Sequence, residues 1–237
     1  MTHVERILVI AAHPDDEILG CGGTMPFLAR AGHEVFIAIL GEGITSRGDR
    51  RESAEPRELD DLHKNAHEAA ALMGAKKLFL EKLPDNRFDS LPLLEVVKVV
   101  EKLIGNVRPT IVYTHHGGDL NIDHAVVHRA VLTATRPQND MPVKEIYAFE
   151  VPSSTEWAFQ QMSPSFRPNV FQDIGLTLEL KIQAMNTYKS EIRQFPHPRS
   201  AQALQAIGRR WGTVVGCEAA EAFELIRSIR MKGCKQQ

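Results

Sequence analysis

At 237 residues, 43% hydrophobic and 24% charged, the chain has the composition of a globular domain long enough to close one hydrophobic core, and a single domain over residues 1–237 is the expectation. A formal net charge of −2 without a basic block argues against a nucleic-acid partner. No run approaches the ~18 apolar residues of a membrane span, and the first apolar stretch enters a polar motif rather than a signal cleavage site, so a cytoplasmic protein with no membrane partner is expected.

In chain order, an apolar strand at Ile7 to Ala12 runs into AAHPDDEILGCGGT, Ala11 to Thr24, where a polar turn opens a helix. Gly20, Gly22 and Gly23 lack the Gly-x-Gly-x-x-Gly order of a dinucleotide loop, so they mark close approach of backbone to its surroundings. Thr24-Met25-Pro26 is expected to restart a helix, with Thr24 as its cap. A strand at Val35 to Leu40 follows, and then Leu59, Leu62, Ala66, Ala69 and Met73 recur at helical spacing up to Gly74. Beyond a strand at Lys77 to Leu80, the residues Leu93, Val96, Val97, Val100 and Leu103 mark a helix that stops before Pro109. Strands are predicted at Thr110 to Thr114 and Glu145 to Val151. The Ser- and Pro-rich VPSSTEWAFQQMSPSFRPN, starting at Val151, reads as a lid-like or interface loop, in which Ser153, Ser154, Thr155, Glu156 and Trp157 could face a sugar. Leu176 to Ile192 and Ser200 to Ile229 are predicted helical. Strands alternating with helices imply parallel pairing through right-handed crossovers. The predicted fold is α/β, a Rossmann-like sheet of mainly parallel strands flanked by helices, with a helical C-terminal part.

The chemistry concentrates at two strand ends. His13, Asp15 and Asp16 directly follow the first strand, and carboxylates and imidazoles there need partners or a metal to offset desolvation. A hydrolytic zinc centre uses three protein ligands and keeps a position open, so a third ligand is sought elsewhere. THHGGDLNIDHAVVHRAV, Thr114 to Val131, supplies it from a second strand-to-helix junction, and such junctions form the ligand crevice of an open α/β sheet. His124 and His128, four apart, are rival donors on one helix face. Glu17 reads as a first-turn acid favoured by the helix dipole. Cys21, Cys217 and Cys234 show no Cys-x-x-Cys spacing and read as reduced thiols.

AHPDDE followed by GCGG, with a later Asp-His opening a helix, resembles the LmbE/PIG-L family of zinc-dependent N-deacetylases of N-acetylated amino sugars. The resemblance implies Zn2+ held by His13, Asp16 and His124, Asp15 as the general base, and Asp123 as a residue that orients His124 or caps the helix. Many members carry a His where this chain has Asn121, which can hydrogen-bond an oxyanion but cannot shuttle a proton. The proton donor is then sought among Asp15, His115, His116, His128 and His197. His197, in FPHPRS, is favoured because flanking prolines stiffen its loop. Substrate contacts are expected after the second and third strands, at Glu42, Thr45, Ser46 and Arg47 and at Asp85, Asn86 and Arg87. Of these, Asp85 matches the family's strand-end Asp, and Arg47 and Arg87 suit an anionic group on the sugar. The implied function is removal of an N-acetyl group from an N-acetylglucosamine-type amino sugar or its conjugate by a homo-oligomer, a trimer or hexamer. A zinc amidase acting on a thiol-sugar conjugate or another small N-acyl compound is the alternative within enzymes, and a catalytically weakened sugar-binding module is the alternative outside them.

Overall fold

The computed structural model describes residues 4–43, 56–138 and 140–230. The run Arg6–Ala11 forms β1, buried on both faces beyond its first residue. That double burial explains why it reads as a continuous apolar stretch rather than an alternating one. Glu34–Gly41 (β2), Lys77–Leu83 (β3), Ile111–His115 (β4) and Glu145–Phe149 (β5) extend the sheet, joined through α1 (Asp16–Cys21), α2 (Thr24–Arg30), α3 (Pro56–Leu72), α4 (Leu93–Val107) and α5 (Ile122–Ala134). These five strands pair with one another in parallel. Val170–Asp173 (β6), α6 (Leu178–Thr187), α7 (Ala201–Val215) and Ala220–Ser228 (β7) complete the described chain.

The strand order is β3-β2-β1-β4-β5-β7-β6. The chain leaves β1 in one direction for β2 and β3, then returns to lay β4 on the other side of β1, so the order reverses between β1 and β4. The carboxyl ends of those two strands carry the two polar motifs, which is where an open α/β sheet forms its ligand crevice. Side chains alternate across β1. Ile7, Val9 and Ala11 pack with α1, α2, α3 and α6 residues on one face. Leu8, Ile10 and Ala12 pack with Val96, Val100, Leu103, Val127 and Val131 of α4 and α5 on the other. At about 1.5–3 kcal/mol for each large side chain fully buried, these two cores hold the strand ends that carry the motifs.

The C-terminal part is helical as expected, but the helix predicted from Ser200 to Ile229 requires correction. Two helices are present, but Ala220–Ser228 is a strand, inserted antiparallel between β5 and β6. AEAFELIRS carries apolar residues compatible with either period, and the open edge of β5 decides. Pairing Phe149 with Phe223 and Ala148 with Glu224 satisfies backbone groups that a helix would leave exposed on the sheet. The short β6 lies just past the Ser- and Pro-rich loop and was not foreseen. The helix restart at Thr24 is present, with Gly23 rather than Thr24 at the cap position. Close approach accounts for the glycines: a Cβ on Gly20 would lie 2.3 Å from the Phe149 ring, and one on Gly23 2.7 Å from Ile174.

Candidate active site

His13, Asp15 and Asp16 occupy the β1–α1 junction, and Asp119, Asn121, Asp123 and His124 the junction of β4 with α5. Because β1 and β4 are neighbours, residues over a hundred positions apart meet. Asp16 Oδ2 lies 3.2 Å from His13 Nδ1 and 3.2 Å from His124 Nε2, and it accepts the His13 backbone N–H at 2.8 Å. The three donor atoms of His13, Asp16 and His124 lie within 4.8 Å of one another, an arrangement that can hold a metal ion.

The remaining nitrogens of both imidazoles face carboxylates. His13 Nε2 is 3.0 Å from Asp123 Oδ2 and 3.4 Å from Asp85 Oδ1, and His124 Nδ1 is 3.2 Å from Asp119 Oδ1. A carboxylate behind each imidazole fixes its tautomer and strengthens it as a ligand. Asp16 Oδ1 is buried and has no hydrogen-bond partner among the described residues, a costly state for a carboxylate oxygen unless a cation faces it. Two nitrogens and one carboxylate oxygen, each imidazole backed by an aspartate, form a donor set that fits zinc.

Carboxylates dominate the electrostatics of the site. Burial works against protonation of His13, yet its bonds to Asp123 and Asp16 overcome it and raise the imidazole to about 10. The same contest at His124, with Asp16 and Asp119 as the winners, raises it to about 9. Burial opposes the charge on Asp119, but its bonds to His124, Ser154 and Thr155 lower it to about 2. Burial drives Asp15 well above the carboxylate range, with Arg199 pulling the other way. Aspartates 15, 16, 85, 119 and 123 are all buried here. This excess of carboxylate is what a divalent cation neutralises.

Asp123 backs His13 rather than His124, and its Oδ1 accepts the Phe88 N–H at 2.9 Å. Asp119, which the sequence did not single out, backs His124 instead. The Thr155 hydroxyl donates to Asp119 Oδ2 at 2.6 Å, the Ser154 hydroxyl donates to Oδ1, and the Asn121 N–H donates to Oδ1 at 2.9 Å. Asn121 caps α5, its Oδ1 accepting the Asp123 N–H and its Nδ2 donating to Asn86 Oδ1, both at 2.9 Å. Glu17 is buried, accepting the Tyr188 hydroxyl at 2.6 Å and the Asp15 N–H at 3.1 Å.

A cavity of about 290 Å³ opens beside His13, lined by Pro14, Asp85, Asn86, Asn121, Glu191, Arg193 and Arg199 among others. Arg199 Nη1 donates to Asp15 Oδ2 at 2.7 Å. Neither Arg199 nor Arg193 was anticipated, since only the tertiary fold returns their loop to β1. Arg87 is exposed and does not line this cavity, while Thr45, Ser46 and Arg47 lie outside the described residues. His197 Nδ1 accepts the Arg199 backbone N–H at 3.1 Å, and its ring meets Trp157 edge-on at 5.5 Å. His115 stacks on His124 with ring centroids 3.9 Å apart and accepts the Ala12 N–H at 2.8 Å. His128 Nδ1 bonds the His115 carbonyl at 2.9 Å. The His116 ring sits between Glu224 and the Pro164 carbonyl. Cys21 is a buried free thiol and Cys217 a half-buried one, and Cys234 lies outside the described residues.

The family model for PIG-L, described as GlcNAc-PI de-N-acetylase, matches residues 8–135, more than half of the chain and inclusive of both motifs. The chain belongs to the PIG-L family. Among its relatives, the diacetylchitobiose deacetylase of Thermococcus kodakarensis is 26% identical over 245 residues, covering 98% of this chain and 86% of that protein. The structure of the N,N′-diacetylchitobiose deacetylase from Pyrococcus horikoshii superposes with a TM-score of 0.75 at 23% identity, covering 94% of this chain and 84% of that one. The 4-carboxy-2-hydroxymuconate hydratase GalB of Pseudomonas putida superposes with a TM-score of 0.74 at 19% identity, covering 98% and 100% of the two chains. These superpositions establish the Rossmann-like PIG-L fold, which serves more than one reaction, so the substrate must be argued from the site. No helix among the described residues is long and apolar enough to cross a membrane.

Proposed function

We propose that this PIG-L protein is a zinc-dependent hydrolase that removes the N-acetyl group from an N-acetylglucosamine-type amino sugar or its conjugate, giving acetate and a free amine. The observation that carries this reading is the His13–Asp16–His124 donor set with an additional buried carboxylate, Asp15, beside it. A binding protein has no use for that carboxylate, and a hydrolase needs a base there. Zinc bound by these three residues would polarise the amide carbonyl and make water acidic enough to attack near neutral pH.

The chain's own residues perform the rest. Asp123 and Asp119 hold the two imidazoles with their ligand nitrogens toward Asp16. Asp15 takes a proton from the attacking water and returns it to the nitrogen of the leaving amine, one carboxylate serving both steps. Asn121, with both ends of its amide engaged, shapes the cavity wall beside Asn86 and carries no proton. His197, its ring bonded to the Arg199 backbone N–H and packed against Trp157 rather than lining the cavity, is the second candidate donor. Asp85, on the cavity wall and 3.4 Å from His13, is assigned to sugar hydroxyls. Arg47 remains the proposed contact for an anionic substituent, Arg87 lying outside the cavity wall, and a small-molecule amino sugar is the partner. A homo-oligomer, trimeric or hexameric, and a cytoplasmic location complete the proposal.

A panel of free, phosphorylated, nucleotide-linked and thiol-conjugated N-acetylamino sugars, assayed for equimolar acetate and amine, tests this reading. Release that chelation abolishes and zinc restores supports it and names the substrate class. Silence across the panel with zinc bound favours the amidase or the sugar-binding module.

A further inference from the structure

Asp15 is held unusually for an acid–base residue. Its backbone lies in the left-handed region at φ 103°, a conformation that costs a non-glycine residue of order 1–3 kcal/mol. Its N–H is tied to Glu17 and its carbonyl accepts the Ile18 and Leu19 N–H groups. These contacts are made by the backbone and place no hydrogen bond on the carboxylate. What restrains the carboxylate is Arg199, whose Nη1 donates to Asp15 Oδ2 at 2.7 Å while Nε donates to Ser153 Oγ at 2.7 Å. Both ends of that bridge are anchored. Ser153 sits in the turn after β5, at φ 75°, with its own N–H on Glu156 at 2.6 Å. Arg199 directly precedes Ser200, the N-cap of α7, and its backbone N–H is bonded to His197. Glu191 Oε2 lies a further 3.6 Å from Nη1.

We propose that Arg199 is the positioning residue for Asp15, its guanidinium spanning from Ser153 to Asp15 Oδ2 so that Oδ1 is the oxygen presented for proton transfer. The proposal rests on Asp15 being the general base. A planar guanidinium reaches two acceptors in one fixed geometry, and an ammonium does not. Three segments far apart in sequence, the β1–α1 junction, the turn after β5 and the loop before α7, thereby converge on one carboxylate. Arg199 acts through Asp15 and not through the metal ligands, so its loss should disturb turnover while sparing zinc.

The test combines kinetics with crystallography on zinc-loaded full-length protein. Misplacing a reacting group by about 1 Å costs on the order of 10²-fold in rate. Arg199→Ala is accordingly expected to lower kcat by about 10–100-fold, with KM within a few-fold of wild type and zinc stoichiometry unchanged. Arg199→Lys should be intermediate, and Ser153→Ala, which removes only the anchor, should shift kcat the same way by less. In crystals of Arg199→Ala the Asp15 carboxylate should leave its wild-type orientation. Wild-type kcat in Arg199→Ala, or an Asp15 carboxylate that stays in place without the guanidinium, overturns the proposal. Absence of acetate release by the wild type counts against the deacetylase reading alone, since the crystallographic comparison still decides the role of Arg199.

Discussion

Asp119 joins three parts of the site through one carboxylate. It faces the Nδ1 of His124 at 3.2 Å, takes the Asn121 N–H at the start of α5, and receives the hydroxyls of Ser154 and Thr155 from the turn after β5. Replacing it with Asn retains the shape but removes the charge behind His124. Asp119→Asn is expected to weaken zinc binding by about 10–100-fold, measured by competition with a chelator of known affinity, with thermal unfolding still cooperative; unchanged affinity contradicts its assigned role. The sequence made His13, Asp16 and His124 legible because their neighbours in the chain carry the pattern. Asp119 had a weaker signal, an acid in a Gly-rich strand-to-helix loop already dense in histidine. Arg199 had none, since nothing local indicates that a residue in FPHPRS reaches Asp15 across 184 positions. Asp123 was foreseen as an orienting residue for the wrong imidazole: sequence adjacency suggested His124, whereas the turn of α5 points its carboxylate at His13.

The elements were readable where periodicity was unambiguous. β1, β2, β4 and β5 are apolar runs closed by polar loops, and α3 and α4 keep one face apolar. Ala220–Ser228 was misread because its period is ambiguous and its structure depends on the vacant edge of β5. That strand also carries Glu224, which ties the end of β4 to β7 through His116 at 2.7 Å. Burial opposes charge on His116, but the bond to Glu224 outweighs it and raises the imidazole above its ordinary 6.5. Burial likewise pushes Glu224 upward, and the bond to His116 brings it below its ordinary 4.5. A raised histidine stabilises the fold below 6.5 and loses that contribution as pH climbs through its folded value. A lowered glutamate stabilises above 4.5 and loses its contribution as pH falls. The two overlap in the window from 4.5 to 6.5. The difference in Tm between wild type and Glu224→Gln should therefore be largest inside that window and shrink as pH falls below it or climbs through the raised folded value of His116. A difference that is flat with pH contradicts the pairing.

Across the whole molecule, the reversal of strand order between β1 and β4 gathers the two motifs, and the β5–β7 edge brings in the turn and loop that carry Ser153, Ser154, Thr155 and Arg199. The PIG-L fold by itself leaves the reaction open, as its likeness to a hydratase shows; a metal-competent triad with a separate buried carboxylate beside it suits chemistry that starts from an activated water. The most direct test is acetate release from N,N′-diacetylchitobiose and other N-acetylamino sugars by wild type and Asp15→Asn protein of equal zinc content. The account predicts release by the wild type and a loss on the order of 10²-fold or more in the variant. Equal rates in the two proteins, or no acetate from any N-acetylamino sugar with zinc in place, would contradict it.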